Sequence, residues 1–277
     1  MKTILITGTT SGIGKITAME LANAGHTIVM ANRNRNKSEQ LKSEIVAQTG
    51  NDKIELLDLD LSSLDSVHEC AEAFKAKYDK LDILINNAGL TSHTEVITKD
   101  GYELQFAVNA LTQFELTLQL LPVLESAAPS QVIFVTSMMH KFGKLNFDSF
   151  KGWKKYSGGS SYNQSKLAIM LLARELAERI GDRQIAVNTL HPGAVNTGIL
   201  DGYSKTAQFF LRKLFISPEK GAKTSLFLAG QEPQSLPTGK YFVNSKQASS
   251  HKLLENAAMR ERLWDTCCEY LNRESAL

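Results

Sequence analysis

The chain contains a glycine-rich stretch, Thr7-Gly8-Thr9-Thr10-Ser11-Gly12-Ile13-Gly14. It follows a short apolar run, residues 2–7 (KTILIT), that is typical of a buried strand, and it leads into a helical pattern over residues 14–25. Glycines allow a tight turn between strand and helix, and they let the backbone come close to a phosphate at the helix N-terminus. The GxxxGxG spacing therefore predicts a pyrophosphate site, with an ordinary glycine-rich strand-to-helix turn as the alternative.

Short apolar runs alternate with helical patterns along the rest of the chain. The predicted strands are residues 2–7, 27–31, 53–57, 81–85, 131–136, 184–190 and 240–243. The predicted helices are residues 14–25, 35–49, 63–79, 100–125, 160–180, 218–230 and 251–273. Apolar strands that alternate with helices indicate a parallel sheet covered on both faces, and right-handed crossovers make it doubly wound. We expect one α/β Rossmann-type domain over residues 1–277, with a mostly parallel seven-stranded sheet.

The composition excludes several classes of protein. Of 277 residues, 43% are hydrophobic and 22% are charged, which is typical of a globular chain, and the net charge is +2. No Lys/Arg-rich run is present, so we expect no nucleic-acid partner. We expect no transmembrane segment, because no apolar run approaches the roughly 20 residues of a membrane span. Cys70, Cys267 and Cys268 form neither a disulfide framework nor a metal-ligand pattern, which favours reduced thiols, no metal and a cytoplasmic location.

The end of the second predicted strand bears on the ligand of the glycine-rich turn. An acidic residue there would bind the adenosine ribose of NAD. This chain has Arg33 instead, and a guanidinium suits a 2′-phosphate, so the sequence predicts NADP(H) in preference to NAD(H). A solvated loop arginine is the alternative. Asp60, after the third strand, could accept a hydrogen bond from the adenine amino group or serve as an acid at the next helix N-terminus.

A tyrosine and a lysine share a face of a predicted helix. Tyr162 and Lys166 lie four residues apart within residues 160–180. A phenol titrates near pH 10, and a neighbouring ammonium favours the phenolate and lowers that pKa. The pair could then exchange a proton with a substrate oxygen. Ser137 lies at the end of the fifth predicted strand and becomes a candidate site residue only together with this pair.

Together these motifs resemble the short-chain dehydrogenase/reductase family. The matching pieces occur in the family's order over nearly the whole chain: TGTTSGIG at 7–14, Asn86-Asn87-Ala88-Gly89, Asn109, Ser137, Tyr162-x-x-x-Lys166 and Pro192-Gly193. The resemblance implies that Tyr162 is the general acid or base and that Lys166 lowers its pKa and binds the nicotinamide ribose. It implies that Ser137 polarises the substrate oxygen. Asn109 would hold a water in a proton relay through Lys166.

The resemblance also implies a set of cofactor contacts. Asn87 would steady the sheet centre beside the cofactor, while the Val195 backbone and the Thr197 hydroxyl would hold the carboxamide. The full set is Gly8, Thr10, Ser11, Gly12, Ile13, Gly14, Arg33, Asp60, Leu61, Asn87, Ala88, Gly89, Tyr162, Lys166, Pro192, Gly193, Val195 and Thr197.

Several features resemble the retinol dehydrogenase-like subgroup. They are the 25-residue step from Ser137 to Tyr162, Arg33 in place of an acid, LDLSSL at 59–64, and His191-Pro192-Gly193. The subgroup implies hydride transfer between NADP(H) and a hydrophobic carbonyl or alcohol that is retinoid-, steroid- or long-chain aldehyde-like. The chain departs from it at Ser11, where many NADP-preferring members carry a basic residue.

Two stretches outside the alternation, residues 138–161 and 200–216, follow strand ends and are the expected substrate loops. Their apolar side chains favour a hydrophobic pocket, with loop packing as the alternative: Met138, Met139, Phe142, Trp153, Tyr156, Tyr203, Phe209 and Phe210. Residues 207–216 are also a candidate for contact with a membrane surface. The resemblance suggests a homodimer or homotetramer. A non-catalytic NADP(H)-binding regulator and a reductase of an activated C=C bond remain alternative functions.

Overall fold

A single sheet organises the protein. The structure, a computed structural model, describes residues 1–193 and 216–277. Eight strands are described, in the order β3-β2-β1-β4-β5-β6-β7-β8. They are β1 Thr3–Thr7, β2 Thr27–Asn32, β3 Ile54–Asp58, β4 Ile83–Asn86, β5 Ser130–Val135, β6 Ile185–His191, β7 Tyr241–Val243 and β8 Lys246–Gln247. Every neighbouring pair is parallel except β7 and β8. The strand order reverses between β1 and β4, which is where open α/β sheets bind ligands.

Helices cover both faces of the sheet. They are α1 Gly12–Asn23, α2 Arg35–Thr49, α3 Leu64–Lys75, α4 Leu104–Phe106, α5 Thr112–Ser126, α6 Gly158–Ile180, α7 Pro218–Ala229 and α8 Ala257–Tyr270. Apolar side chains of α1, α2 and α7 pack in one core, and those of α3, α5, α6 and α8 pack in another. Successive strand residues point to opposite faces, so Ile4 and Ile6 enter the first core while Leu5 enters the second. The predicted doubly wound α/β fold is confirmed.

The structure differs from the prediction at the sheet edge. The sequence predicted seven strands, and the eighth is the two-residue strand β8, which pairs antiparallel with β7. Asn244 and Ser245 form the connecting turn with positive φ angles of 51° and 61°. Such a turn matches the right-handed twist of a hairpin. Because β8 is exposed and polar, it carries no apolar pattern that the sequence could reveal.

Two predicted helices are interrupted in the structure. The helical path over 104–126 passes through a π-helix, Ala107–Leu111, between α4 and α5. The predicted helix 251–273 is a 3₁₀ turn, Lys252–Glu255, followed by α8. Asn256 separates the two because its side chain accepts a hydrogen bond from the Met259 amide at 3.0 Å and caps α8.

The first expected substrate loop contains short helices and packs against the rest of the chain. It contains the 3₁₀ helices Met138–Phe142 and Phe147–Ser149 and leads into α6. Phe150 is fully buried and stacks on Phe106 with ring centroids 3.9 Å apart. Met138 and Phe142 remain exposed, by 48% and 67%. Residues 200–215 of the second expected loop, including Tyr203, Phe209 and Phe210, lie outside the described residues.

Candidate active site

The glycine-rich turn connects β1 to α1. Gly8 and Gly12 have φ angles of +70° and +56°, a region that favours glycine. Ser11 is the N-cap residue of α1, yet within the described chain its side chain makes no capping hydrogen bond, and the first turn of α1 holds no acidic residue. The amides of that turn are therefore available to an anion, and the helix dipole favours negative charge there. By contrast, Asn34 caps α2 and Ser157 caps α6.

Asn87 fixes the shape of this turn from the neighbouring strand end. Its side-chain amide donates to the carbonyl oxygens of Thr7 and Gly8, both at 2.9 Å. The Thr7 hydroxyl accepts the backbone amides of Asn87 and Ala88 at 3.0 Å. Gly14 packs into the same place, since a Cβ there would lie 2.3 Å from the Gly8 oxygen and 2.4 Å from Asn87 Nδ2. The sequence motifs at 7–14 and 86–89 thus form one interlocked unit.

Asn32 belongs to this unit, although the sequence reasoning did not single it out. It ends β2 and is buried, and its Oδ1 accepts the Thr9 amide at 2.6 Å while its Nδ2 donates to the Thr9 hydroxyl at 2.8 Å. A buried polar residue that ends an otherwise apolar strand is the signal that marks it in the sequence. The pair of bonds holds Thr9 against the sheet.

The residues expected to contact the adenosine lie at neighbouring strand ends. Arg33 directly follows β2 and is exposed, and no ion pair involves it among the described residues. Asp60 follows β3, but its Oδ1 accepts both the amide and the hydroxyl of Ser62, at 2.9 and 2.7 Å. Leu61 is buried, with its carbonyl oxygen accepting the Thr112 hydroxyl at 2.9 Å. Asp60 therefore already stabilises its own turn.

Asn109 lies on the π-helix between α4 and α5. Its Oδ1 accepts the Leu90 amide at 2.8 Å, and its Nδ2 donates to the Leu90 carbonyl oxygen at 2.9 Å and to Ser165 Oγ at 3.0 Å. Isolated π-helical turns are frequent at functional sites. A Cβ on Gly89 would meet Asn109 Oδ1 at 3.1 Å and Lys166 Nζ at 3.2 Å. Both groups therefore converge on the backbone of Gly89.

The expected catalytic residues come together on β5 and α6. Ser137 follows β5, and its hydroxyl accepts the Met139 amide at 3.3 Å. Tyr162 and Lys166 occupy one face of α6, with Lys166 Nζ 5.8 Å from the centroid of the Tyr162 ring. Lys166 is buried, and its ammonium donates to the Val135 carbonyl oxygen at 3.2 Å.

Burial is the largest influence on the pKa values of Tyr162 and Lys166. It raises the pKa of Tyr162 above its usual range, while a hydrogen bond with Ser137 acts in the opposite direction. Burial also lowers the pKa of Lys166 to about 8. The net direction for Tyr162 is upward because desolvation of the phenol is the largest effect, and the expected influence of Lys166 on this pKa stays a prediction. The tyrosine is a neutral phenol at pH 7.

A fully buried carboxylate adjoins the start of α6, and the sequence reasoning missed it. Glu103 Oε2 accepts the Ser161 hydroxyl at 2.7 Å and the Phe106 amide at 2.9 Å, while Oε1 accepts the Gln105 amide at 3.0 Å. Glu103 thus links the N-terminus of α4 to the residue before Tyr162. An acid immediately N-terminal to a helix is its sequence signal.

The remaining expected contacts follow β6. Pro192 and Gly193 are described, and Gly193 has a φ of +98° and lies against Ile216, where a Cβ would be 2.3 Å from Cδ1. Val195 and Thr197 lie outside the described residues. Among residues 1–193 and 216–277, no group of His, Cys, Asp and Glu could hold a metal ion. No helix in those ranges has the length and apolarity to cross a membrane.

The residues present fit a dinucleotide. The uncapped start of α1 suits a pyrophosphate, and Gly8 and Gly14 let the turn pack closely against Ala88 and Asn87. The buried ammonium of Lys166 and the amide of Asn109 lie beside Gly89, on the same sheet edge as this turn. The fold and site therefore define a dinucleotide-binding α/β protein with a Ser-Tyr-Lys group at the strand ends.

Comparison with known proteins gives the family. Residues 2–208 match the family model described as short chain dehydrogenase. Retinol dehydrogenase 12 of Mus musculus is 39% identical over 272 residues, covering 98% of this chain and 86% of that protein. Retinol dehydrogenase 13 of Homo sapiens is 39% identical over 273 residues, covering 95% and 82%. The chain belongs to the short-chain dehydrogenase/reductase family and is retinol dehydrogenase-like.

Solved structures agree with this assignment. An uncharacterized protein from Mycobacterium paratuberculosis superposes with a TM-score of 0.81 at 30% identity, covering 100% of this chain and 96% of that one. The RhlG/NADP active-site complex of Pseudomonas aeruginosa gives a TM-score of 0.71 at 25% identity, covering 87% and 93%. The family assignment makes this protein a hydride-transfer oxidoreductase that uses a nicotinamide cofactor.

Proposed function

We propose that this oxidoreductase uses NADP(H) and transfers a hydride between nicotinamide and a hydrophobic carbonyl or alcohol that is retinoid-, steroid- or long-chain aldehyde-like. The observation that carries the proposal is the convergence of Ser137, Tyr162 and Lys166 at the ends of β5 and α6, with Asn109 beside them. When bound, the cofactor supplies or accepts the hydride. The chain supplies placement and proton transfer.

Tyr162 is the proton donor in the reductive direction. Burial keeps its phenol protonated at pH 7, so the hydroxyl can donate to a carbonyl oxygen as negative charge develops there. The Ser137 hydroxyl lies beside the Tyr162 phenol and acts to lower its pKa, so both hydroxyls can bind the same substrate oxygen. In the oxidative direction Tyr162 must first lose its proton; its phenolate then accepts the proton of the alcohol while the Ser137 hydroxyl holds the alcohol oxygen.

Lys166 and Asn109 provide the route by which the proton is replaced. With its pKa lowered to about 8 by burial, Lys166 is mostly protonated at pH 7 yet close enough to neutrality to exchange a proton. Asn109 Oδ1 and Lys166 Nζ both approach Gly89. A water bound there can connect the two groups to solvent. The buried ammonium also suits the nicotinamide ribose hydroxyls.

Two observations support NADP(H) as the cofactor. Arg33 is exposed directly after β2 and has no ion-pair partner among the described residues, so its guanidinium is available to a 2′-phosphate. The Pseudomonas aeruginosa neighbour is described as an NADP complex, and a short chain dehydrogenase of Escherichia coli CFT073, 25% identical with a TM-score of 0.70, is described as an NADPH complex. Directly after β2 this chain has Arg33, where an acidic residue would favour NAD.

The substrate class is supported by the relatives and by the surface beside Ser137. Both mammalian relatives are named for retinol, an apolar alcohol. Met138 directly follows Ser137 and is 48% exposed, and Phe142 is 67% exposed on the same 3₁₀ helix. Exposed apolar side chains next to a catalytic serine favour a hydrophobic substrate.

The test is cofactor oxidation by the purified protein. NADPH is compared with NADH against retinal, steroid ketones, medium-chain aldehydes and aromatic ketones, with the products identified so that reduction of a C=C bond is recognised. Turnover with NADPH on part of this panel is expected. Tyr162→Phe should lower kcat at least about 100-fold, the usual contribution of a general acid, while NADPH still binds.

Tyr78→Phe is the matched control, because Tyr78 stacks on Phe74 and is not part of the site. It should turn over like the wild type. Binding of NADPH without turnover of any carbonyl would instead support the non-catalytic regulator. Near-normal turnover by Tyr162→Phe would refute the proposed proton donor.

A further inference from the structure

The peptide bond that follows Ser137 is held at both of its polar atoms by buried histidines. The carbonyl oxygen of Ser137 lies 2.6 Å from His140 Nδ1. The amide of Met138, in the same peptide unit, donates to His191 Nδ1 at 3.3 Å. The backbone amide of His140 donates to the same carbonyl oxygen at 3.1 Å. Because the carbonyl oxygen and the Met138 amide point in opposite directions within one rigid plane, the two imidazoles and this backbone bond together fix its orientation.

The two histidines come from different parts of the sheet. His140 lies on the 3₁₀ helix that follows β5, is completely buried, and meets the Tyr241 ring of β7 edge-on with centroids 4.8 Å apart. His191 is the last residue of β6 and is 8% exposed. Since β5 and β6 are neighbours, the Ser137–Met138 peptide is tied to the next strand as well as to its own turn.

The partners assign the imidazole tautomers. A carbonyl oxygen only accepts, so His140 carries a proton on Nδ1; an amide N–H only donates, so Nδ1 of His191 presents its lone pair. His191 must therefore be neutral, with its proton on Nε2. Burial agrees with this requirement, because it lowers the pKa of His191 to about 4 and also lowers that of His140.

We propose that His140 and His191 are positioning residues for the reaction, which hold the Ser137–Met138 peptide so that the Ser137 hydroxyl is directed at the Tyr162 phenol and the substrate oxygen. The inference rests on the proposed function, since it gives meaning to the place of Ser137. Neither histidine exchanges a proton with substrate; both act through the backbone of Ser137. A small rotation of this peptide would displace Ser137 Oγ, and misplacements of about 1 Å can cost roughly 100-fold in rate.

Asparagine and glutamine substitutions separate the hydrogen bond from the bulk of the ring. An asparagine amide places its polar atoms near the Nδ1 position of histidine, whereas a glutamine amide reaches the Nε2 position. His140→Asn keeps a donor to the Ser137 carbonyl, and His191→Asn keeps an acceptor for the Met138 amide. We expect the two Asn variants to retain kcat within about threefold, and the two Gln variants to lose roughly tenfold or more.

A double-mutant comparison distinguishes positioning from general structural support. In the Ser137→Ala background, where no hydroxyl remains to be placed, His140→Gln should cause no further loss of kcat. If the losses of His140→Gln and Ser137→Ala instead multiply, the histidine acts independently of Ser137 and the inference is overturned. It is equally overturned if the Gln variants match the Asn variants and the wild type while Ser137→Ala is inactive.

Hydrogen exchange of the Met138 amide, followed by NMR, tests the clamp without turnover. His191→Gln should exchange this amide at least about tenfold faster than the wild type and His191→Asn, because the acceptor is lost. Unchanged exchange in His191→Gln would overturn this inference and leave the proposed function untouched. If exchange accelerates but Ser137→Ala is fully active, the proposed role of Ser137 fails, and with it the positioning of that hydroxyl.

Discussion

Asn109 donates a hydrogen bond to the Ser165 hydroxyl over 3.0 Å, and Ser165 donates in turn to the Tyr162 carbonyl oxygen at 2.8 Å. This chain of bonds joins the π-helix to α6 between the two residues, Tyr162 and Lys166, that face the site. Ser161 forms a parallel link one turn earlier, through Glu103. The hydrogen bonds of Ser161 and Ser165 therefore fix the orientation of α6 and, with it, the positions of Tyr162 and Lys166.

Ser165→Ala should reduce turnover. The substitution removes one of the two acceptors of Asn109 Nδ2 in a fully buried place, while the bond to the Leu90 carbonyl oxygen remains. One buried N–H is then left without a partner, at a cost of about 1–3 kcal/mol. We expect kcat to fall roughly tenfold with little change in NADPH affinity, measured by steady-state kinetics and cofactor fluorescence. Ser160→Ala, at an exposed neighbouring position, is the control and should behave like the wild type. An unaffected Ser165→Ala enzyme would show that this bond does not set the site.

The sequence was sufficient for the architecture of the sheet and for the motifs around it. Apolar runs such as residues 2–7 and 131–136 reveal strands because both faces of this sheet are covered, and the periodicity of 160–180 reveals α6. The glycine-rich sequence at 7–14 correctly gives the turn between β1 and α1. These features depend on local patterns of apolarity and on backbone freedom, which a single sequence records directly.

The sequence did not reveal what depends on contacts between distant residues. The π-helix at Ala107–Leu111 has no pattern of its own, and the bonds of Asn32 with Thr9 or of Glu103 with Ser161 join residues 23 and 58 positions apart. The pKa of Tyr162 depends on how deeply the ring is buried, which the four-residue spacing from Lys166 does not record. The short edge strand β8 is polar and was missed for a similar reason.

Arg33→Ala should weaken the binding of NADPH far more than that of NADH. Loss of charge-assisted hydrogen bonds to a 2′-phosphate, each worth about 1.5–3 kcal/mol, should weaken NADPH roughly 10- to 100-fold. Arg35→Ala is the matched control, because Arg35 already pairs with Glu39 at 2.9 Å and approaches Asp58 at 3.8 Å. Dissociation constants from fluorescence titration decide the matter. Equal losses for the two cofactors would remove Arg33 from the 2′-phosphate.

Gly14→Ala should abolish tight cofactor binding. The new methyl would lie 2.3 Å from the Gly8 oxygen and 2.4 Å from Asn87 Nδ2, so the turn must open and the Asn87 bonds must break. We expect a loss of about 1–3 kcal/mol in stability from overpacking and at least tenfold weaker NADPH binding. Gly159→Ala is the control, since a Cβ there meets nothing within 4 Å. Calorimetry and cofactor titration should give the wild-type stability and NADPH affinity for Gly159→Ala. If Gly14→Ala gave the same values, the close packing of this turn would be contradicted.

Burial of the charged Lys166 should lower the free energy of unfolding at neutral pH, and this loss should disappear as the pH rises. Burial lowers its pKa from 10.5 in the unfolded chain to about 8 in the folded protein. Between these values the unfolded state binds more protons, so stability rises with pH across this window; below pH 8 the full cost of the buried ammonium is present.

Lys166→Met tests this with an uncharged, unbranched side chain that is one atom shorter. Because one unit of pKa difference corresponds to about 1.4 kcal/mol, the variant should be more stable than the wild type at pH 7, by on the order of 2 kcal/mol after loss of the bond to Val135. The difference should shrink steadily as the pH is raised from 8 to 10, because the wild-type lysine then loses its charge on folding. Denaturant unfolding of both proteins at several pH values measures it, and Lys166→Arg, which keeps the charge at every pH, should show no such convergence with Lys166→Met. A stability difference that stays constant with pH would mean that the ammonium of Lys166 is solvated in the folded protein, and its place beside Gly89 as a proton carrier would then lose its physical basis.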